Sequence, residues 1–317
     1  MFQKTLFKPR DLLQLEALHR RLPRSHPAYD EIEAEHGRCQ AGYYGEMSLT
    51  RLLARFADQA YVFQNVRLPV RGEHVQMDVL LLTDTCAIII EIKHWRGDLH
   101  FSSPDGPVLR SYEHKEQLFS NPLHQAEEQA AQFQHWRADQ GFPPLSIHPL
   151  VVFSHRHVKL HPLPTNSLYR NLLTRDTLPR QLRHLLTTDA SPQNSTCDLQ
   201  KEIQLLHIHN QTSNYNYTAV HGITQNDIIS GVNCPYCGKQ KMHRTRKNWH
   251  CPHCGGRHKL AHAFALTDYK LMFGPRISNR EARVYLGVSS RHTCRRLLQP
   301  FTYPSTTNDP NGYYWIK

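Results

Sequence analysis

The stretch QMDVLLLTDTCAIIIEIKHW, residues 76–95, contains two runs of apolar and β-branched residues separated by Thr83-Asp84-Thr85. Runs of this length and composition form buried strands, and a short polar break between them makes an antiparallel hairpin. Asp78, Glu91 and Lys93 nevertheless stand inside it. With the turn centred between residues 84 and 85, cross-strand partners carry numbers that sum to 169. Asp78 and Glu91 meet that condition and should face each other, with Cβ atoms about 5 Å apart. Lys93, two residues beyond Glu91, shares their face.

Two carboxylates so close, with little water, cannot both stay ionised unaided. Mg²⁺ or Mn²⁺ suits the position, because such an ion takes one or two carboxylates and accepts phosphate oxygens. A lysine beside it can orient the attacking water or stabilise charge on a phosphate. The plain alternative is a structural Glu91–Lys93 ion pair with Asp78 in a turn. Glu46 lies three residues before Leu49 and seven before Leu53, on the apolar stripe of its helix. It therefore points at the sheet, unless it only serves a helix first turn.

Around this hairpin the periodicity predicts helices at about 10–22, 27–39 and 46–58, with Gly42 and Gly45 breaking the last two. Strands follow at 61–69, 75–82 and 87–95, then a hairpin over 98–112. Asn121-Pro122 opens a helix that runs to about Gln140. LSIHPLVVFS ends in a buried strand, and TRDTLPRQLRHLLTT holds a helix. This order is an α/β core with a mixed sheet. Residues 188–226 read as a linker, within which KEIQLLHIH can form one helix or strand.

Net charge divides the chain. Residues 1–226 hold 23 basic and 23 acidic side chains; residues 227–317 hold 15 and 4, which is the whole net charge of +11. A basic C-terminal module of this kind faces a polyanion, nucleic acid first of all. Its other reading is a basic surface kept for solubility. The longest apolar run, AIIIEI, is too short to span a bilayer. The N-terminus lacks a signal-peptide core. The expected setting is the cytoplasm, with no membrane partner.

In CPYCGKQKMHRTRKNWHCPHCGG the pairs Cys234/Cys237 and Cys251/Cys254 have the spacing of a zinc ribbon with a closed, structural Cys₄ site. Between them lie Lys239, Lys241, Arg244, Arg246 and Lys247, followed by Trp249. Cations interleaved with an aromatic suit phosphate contact and base stacking. The alternative is a solvated hairpin with Trp249 covering its core. Cys39, Cys86, Cys197 and Cys294 read as free thiols. ISNREARVYLGVSSRHTCRRLLQPF resembles a helix-turn-helix, with Arg291, His292, Arg295 and Arg296 on its second helix. Arg283 stands where a small residue is usual. FTYPSTTNDPNGYYWIK reads as a two-stranded wing turning at 309–312. A helical hairpin packed on the ribbon is the competing reading.

GYYGEMSLTRLL, QMDVLLL, EIKHWRGDL and NPLHQAEEQ, in that order, resemble the nuclease-related domain (NERD). That domain belongs to the restriction-endonuclease-like, PD-(D/E)xK fold. The resemblance spans roughly residues 10–185. It matches Gly42, Gly45 and Glu46 to a G-x-x-G-E helix, Asp78 to the metal aspartate, and Glu91 and Lys93 to E-x-K. Asn121, Pro122 and Gln125 match N-P-x-x-Q. Met77 replaces the proline of the fold's name.

The resemblance implies a mixed sheet flanked by helices that hydrolyses phosphodiesters. Asp78, Glu91 and the carbonyl of Ile92 would hold the metal, Glu46 would assist, and Gln125 would line the site. The expected domains are a nuclease-like domain over 1–187, the linker at 188–226, the ribbon at 227–262 and a winged-helix-like module at 263–317. The expected function is metal-dependent cleavage of DNA. A non-catalytic DNA-binding protein is the alternative, and RNA as substrate and a homodimer are left open.

Overall fold

The computed structural model describes residues 2–4, 6–103, 106–161, 170–188, 198–238, 241–303 and 313–317. Lys239, Cys197 and the expected wing turn at 309–312 lie outside these ranges. The chain forms two compact units. One comprises Met1–Lys8 with Gln40–Ser213, the other Pro9–Cys39 with Asn214–Lys317. The helices at 10–39, expected with the nuclease-like half, thus group with the C-terminal residues.

The first strand, β1 (Phe2–Lys4), precedes helices α1 (Arg10–Arg21) and α2 (Tyr29–Leu53). α2 runs unbroken through Gly42 and Gly45, where a break between two helices was expected. A glycine inside a helix costs only about 0.5–1 kcal/mol. Burial of Ile32, Leu49 and Leu53 along the same helix outweighs that cost.

The core of the first unit is a six-stranded mixed sheet. Its strands are β1, β2 (Tyr61–Val70), β3 (Glu73–Leu82), β4 (Cys86–Lys93), β8 (Ser146–Phe153) and β10 (Leu172–Thr174), in that spatial order. β2, β3 and β4 pair antiparallel through short turns. β8 lies parallel to β4 and to β10. The parallel β4–β8 pair needs a crossover, and α3 (Pro122–Asp139) lies within it. As expected, Asn121 caps α3 through its side chain, accepting from Leu123 N at 3.0 Å.

Both sheet faces are covered, which is why β4 reads as almost continuously apolar. On one face Leu49 and Leu53 of α2, with Leu178 and Leu182 of α4 (Leu178–Thr188), meet Ile88, Ile90 and Val152. On the other, Phe133 and Trp136 of α3 meet Leu80, Leu82 and Ile89, joined by Ile203 and Leu206 of α5 (Leu199–His209). α5 lies in the expected linker, yet it is part of the core. Its Glu202 is bidentate with Arg137 of α3, at 2.8 and 3.2 Å, and both side chains are fully buried.

The predicted hairpin after β4 is the start of a second sheet. Its strands are β5 (Gly97–Phe101), β6 (Val108–Tyr112), β7 (Lys115–Phe119) and β9 (Val158–His161), in the order β7-β6-β5-β9.

The second unit groups α1 with α6 (Tyr217–Val220) and α7 (Ala261–Phe273). Arg21 is its buried tie. The guanidinium reaches Asp268 at 2.7 Å, donates to the carbonyls of Ile229 and Gly231, and lies 4.9 Å from the Tyr285 ring centre. A three-stranded ribbon follows, made of β11 (His243–Arg244), β12 (Trp249–His250) and β13 (Arg257–His258).

Next come β14 (Arg276–Ser278), α8 (Asn279–Leu286) and α9 (Arg291–Leu298). A capping box between Ser278 and Glu281 starts α8, and Gly287 in the left-handed region ends it. The final strand, β15 (Tyr313–Trp315), pairs antiparallel with β14 on one side, and the expected antiparallel pairing with the residues from 301 onward is present as well. Around the bridge Thr302↔Ile316, Tyr303 N donates to Trp315 O and Lys317 N donates to Phe301 O, both at 2.9 Å. Among the described residues no helix is long and apolar enough to cross a membrane.

Candidate functional site

The β3–β4 hairpin keeps the expected register. Its partners run from Leu82↔Ala87 to Val79↔Ile90, all summing to 169. The ladder stops one pair before Asp78 and Glu91. On the other edge, β2 and β3 pair at Gln64↔Val79 and Val66↔Met77 but skip Asn65, the residue opposite Asp78. Asn65 has φ +53°, a left-handed conformation that asparagine tolerates better than most residues. β3 therefore leaves regular pairing on both sides at Asp78. The carboxylate takes over a ladder bond there: its Oδ2 accepts from Ile92 N at 2.8 Å.

Face alternation puts Asp78 and Glu91 together. Leu80 and Ile89 both belong to the cluster under α3; Asp78 lies two residues before Leu80 and Glu91 two residues after Ile89, on the same face. Glu91 is 4% exposed. Its Oε1 accepts from Lys93 Nζ at 2.6 Å, and its Oε2 from Gln129 Nε2 at 2.7 Å. Lys93 Nζ also donates to Gln125 Oε1 at 2.8 Å. Gln129–Glu91–Lys93–Gln125 is thus one hydrogen-bonded chain between β4 and consecutive turns of α3.

Gln129 was not foreseen. Its signal was available: it stands four residues after Gln125, hence on the same helix face. The residue is buried, and its Oε1 has no partner among the described residues.

Charge is unbalanced at this point. Burial first, then the Glu91 and Glu46 carboxylates, push the Asp78 carboxyl well above its usual range. The Ile92 N–H and the Lys93 ammonium pull the other way without prevailing. Half-buried Glu46 is thus brought into the same electrostatic group from α2. Gly45 explains how. A Cβ there would lie 3.0 Å from both His94 Cβ and Ser154 Oγ, so any side chain would have to push these neighbours aside where α2 approaches the ends of β4 and β8. Gly42, by contrast, has open space around it. Ser154 N donates to Lys93 O at 2.9 Å, and Ser154 Oγ lies 2.9 Å from His94 Nδ1, which fixes the end of β4. Burial, then Arg96, lowers the His94 pKa.

The four ribbon cysteines converge in the second unit. All four sulfurs lie within 4.8 Å of one another, and the Cys234–Cys254 and Cys237–Cys251 pairs are 3.7 Å apart. That is too long for a disulfide. It is the edge of a tetrahedron whose centre lies about 2.3 Å from each corner, the zinc–thiolate distance. The two knuckles repeat one geometry. Gly238 N donates to Cys234 O and Gly255 N to Cys251 O, with φ +65° and +70° at the glycines. Backbone N–H groups of Cys254, then His253, help hold the Cys251 thiol down at about 7. The cluster fits a zinc ribbon.

Trp249 corrects the sequence reading. It is 1% exposed, and its Nε1 donates to His262 Nδ1 at 3.1 Å, so no base can stack on it. It covers the core of the ribbon instead. Lys241, Arg246, Lys247, Arg291, His292, Arg295 and Arg296 are exposed, and Arg244 is half-buried. The unexpected Arg283 spans the turn after α8, donating to Ser289 O at 3.1 Å.

Residues 41–154 match the family model of the nuclease-related domain. The match includes Glu46, Asp78, Glu91, Lys93, Gln125 and Gln129. An uncharacterized protein of Bacillus anthracis is 26% identical over 135 residues, covering 41% of this chain and 62% of that protein. The chain therefore spans a little under two thirds of that relative's length. No solved structure matches the chain.

Proposed function

We propose that the chain is a divalent-metal-dependent nuclease that hydrolyses phosphodiester bonds in DNA, with its C-terminal unit binding the nucleic acid. The nuclease-related domain and the mixed sheet supply the frame. The observation that carries the reading is the Gln129–Glu91–Lys93–Gln125 chain lying beside an Asp78 whose carboxyl is disfavoured as an anion.

The residues fit a hard cation. Asp78, Glu91 and Glu46 bring three carboxylates to the electrostatics of one point, where the Lys93 ammonium supplies opposing positive charge. Asp78 and Glu91 would hold the ion, since each carboxylate oxygen already bonded keeps a second lone pair. In a strand the N–H and C=O of one residue share an edge. The Ile92 carbonyl therefore faces the side from which Asp78 approaches, in keeping with its role as a third ligand. When bound, Mg²⁺ or Mn²⁺ supplies charge stabilisation to a phosphate undergoing displacement.

The chain's own side chains then have defined tasks. Lys93 Nζ has three N–H bonds, of which Glu91 and Gln125 take two. The third is left for the attacking water or a phosphoryl oxygen. Gln125 and Gln129 fix the lysine and the glutamate in rotamers that serve this geometry. Glu46, positioned through Gly45, adds negative charge that favours the metal. The net-neutral N-terminal sequence contributes little long-range attraction for DNA, and the +11 C-terminal part supplies it.

Supercoiled plasmid, linear duplex, single-stranded DNA and RNA incubated with and without Mg²⁺ test this reading. Cleavage of DNA that needs Mg²⁺ and falls roughly 10²-fold or more in Asp78→Asn is expected. Equal rates in the wild type and Asp78→Asn would remove the proposed site, and preference for RNA would move the substrate class.

A further inference from the structure

The ribbon and the two-helix segment are distinct in sequence, yet in the second unit they wall one cavity of about 480 Å³. Arg244, Arg246 and Lys247 come from the ribbon hairpin, Lys259 and His262 from the segment after it, and Thr293 and Arg296 from α9. Leu260, Leu297 and Pro300 complete the lining. Five of these side chains are obligate cations at neutral pH, and no carboxylate lines the cavity. None of the five is paired with a carboxylate among the described residues.

Arg244 is held in place rather than free to swing away. Its guanidinium lies 5.4 Å from the Trp249 ring centre and donates to Lys247 O at 3.2 Å. Burial, and then the Arg296 charge, lower its pKa. Two guanidinium groups are therefore kept near each other across the cavity, from two different modules, with nothing of opposite sign between them. Such an arrangement is costly alone and favourable with an anion in place. Arginine forks match phosphate oxygens, and the apolar patch made by Leu260, Leu297 and Pro300 suits a sugar or base edge.

We propose that this cavity is a composite phosphate-ester site that takes one nucleic-acid backbone phosphate between the ribbon hairpin and α9, so that both modules grip the same strand. This rests on the reading of the C-terminal unit as the nucleic-acid binder and locates where that binding occurs. It assigns buried Trp249 the task of fixing Arg244 instead of stacking on a base.

Binding of a fluorescent DNA duplex to the full chain, zinc retained and no Mg²⁺ added, tests it independently of cleavage. Arg244→Ala and Arg296→Ala are compared singly and together with Arg280→Ala, which removes one exposed charge outside the cavity. The double variant is expected to bind at least tenfold more weakly than Arg280→Ala. Its log Kd–log salt slope should fall by about 1, one lost phosphate contact, and not by about 2. The single losses should be non-additive, as for two side chains on one phosphate.

Zinc content and melting temperature report the fold. If Arg244→Ala disturbs the ribbon, Arg296→Ala on the exposed face of α9 carries the same comparison. A double variant that binds like Arg280→Ala overturns the site. So does displacement of a mononucleotide, but not of duplex, by inorganic phosphate, because the cavity would then serve a small molecule.

Discussion

Lys93→Ala is expected to slow Mg²⁺-dependent DNA cleavage by about 10²–10³-fold, the usual loss when one donor to developing charge is removed. The reason lies in how Lys93 is held. Two of its N–H bonds go to Glu91 Oε1 and Gln125 Oε1, which leaves the third for a water or a phosphoryl oxygen. If Lys93 served only as an ion-pair partner for Glu91, the variant would melt at a lower temperature and cut DNA at the wild-type rate. Gln125→Ala separates the two roles further. It leaves the ammonium and its Glu91 contact in place and removes only the second anchor, so it should lower the rate by less than Lys93→Ala. Lys93→Arg should not restore the rate, because a planar fork cannot occupy the position of a compact ammonium. Initial rates at saturating DNA, with melting curves on the same samples, decide among these outcomes.

Glu202→Ala is expected to be the most destabilising single change in the first unit. Arg137 is 0% exposed and its guanidinium is bound by both Glu202 oxygens and by Pro143 O at 2.6 Å. Removing the glutamate strips a buried cation of this bidentate carboxylate, and losses of about 3–5 kcal/mol follow from breaking such a pair. For a unit of this size that is a fall of about 6–20 °C in melting temperature. Replacing both partners by apolar residues, Arg137→Met with Glu202→Leu, should recover most of the loss, since no charge is then stranded. Calorimetric melting of the three proteins measures it. A Glu202→Ala protein that melts with the wild type would show that α5 is a loosely tethered linker, as its surroundings in the sequence suggested.

Much of the first unit was legible because buried strands leave a plain signature. The two runs of residues 76–95 fixed β3, β4 and their register. Asn121-Pro122 gave the start of α3. What escaped depends on contacts between distant residues. Nothing local tells that Arg21 will seek Asp268, 247 residues away, and carry α1 into the second unit. β7, KEQLF, is an edge strand with four exposed residues and no apolar alternation to betray it. α5 was half hidden because its sequence neighbourhood is polar, whereas its own Ile203 and Leu206 are core residues.

Glycine was misread at α2. Gly45 marks a close approach, not a break, and only its contacts with His94 and Ser154 reveal that. At the candidate site, Asp78, Glu91, Lys93 and Gln125 were picked out by register and resemblance together. Gln129 needed only the helical repeat applied once more. Trp249 shows the converse error: an aromatic among cations was taken for a stacking platform, when burial had already used its ring.

The central claim is that Asp78 and Glu91 create a place for a divalent ion. Calorimetric titration of Mn²⁺ into the zinc-loaded chain, beside Asp78→Asn and Glu91→Gln, tests it most directly. A saturable Mn²⁺ site in the wild type that disappears in both variants, with all three proteins folded, is the expected result. Wild-type protein that takes up no Mn²⁺, or variants that bind it as well as the wild type does, would contradict it.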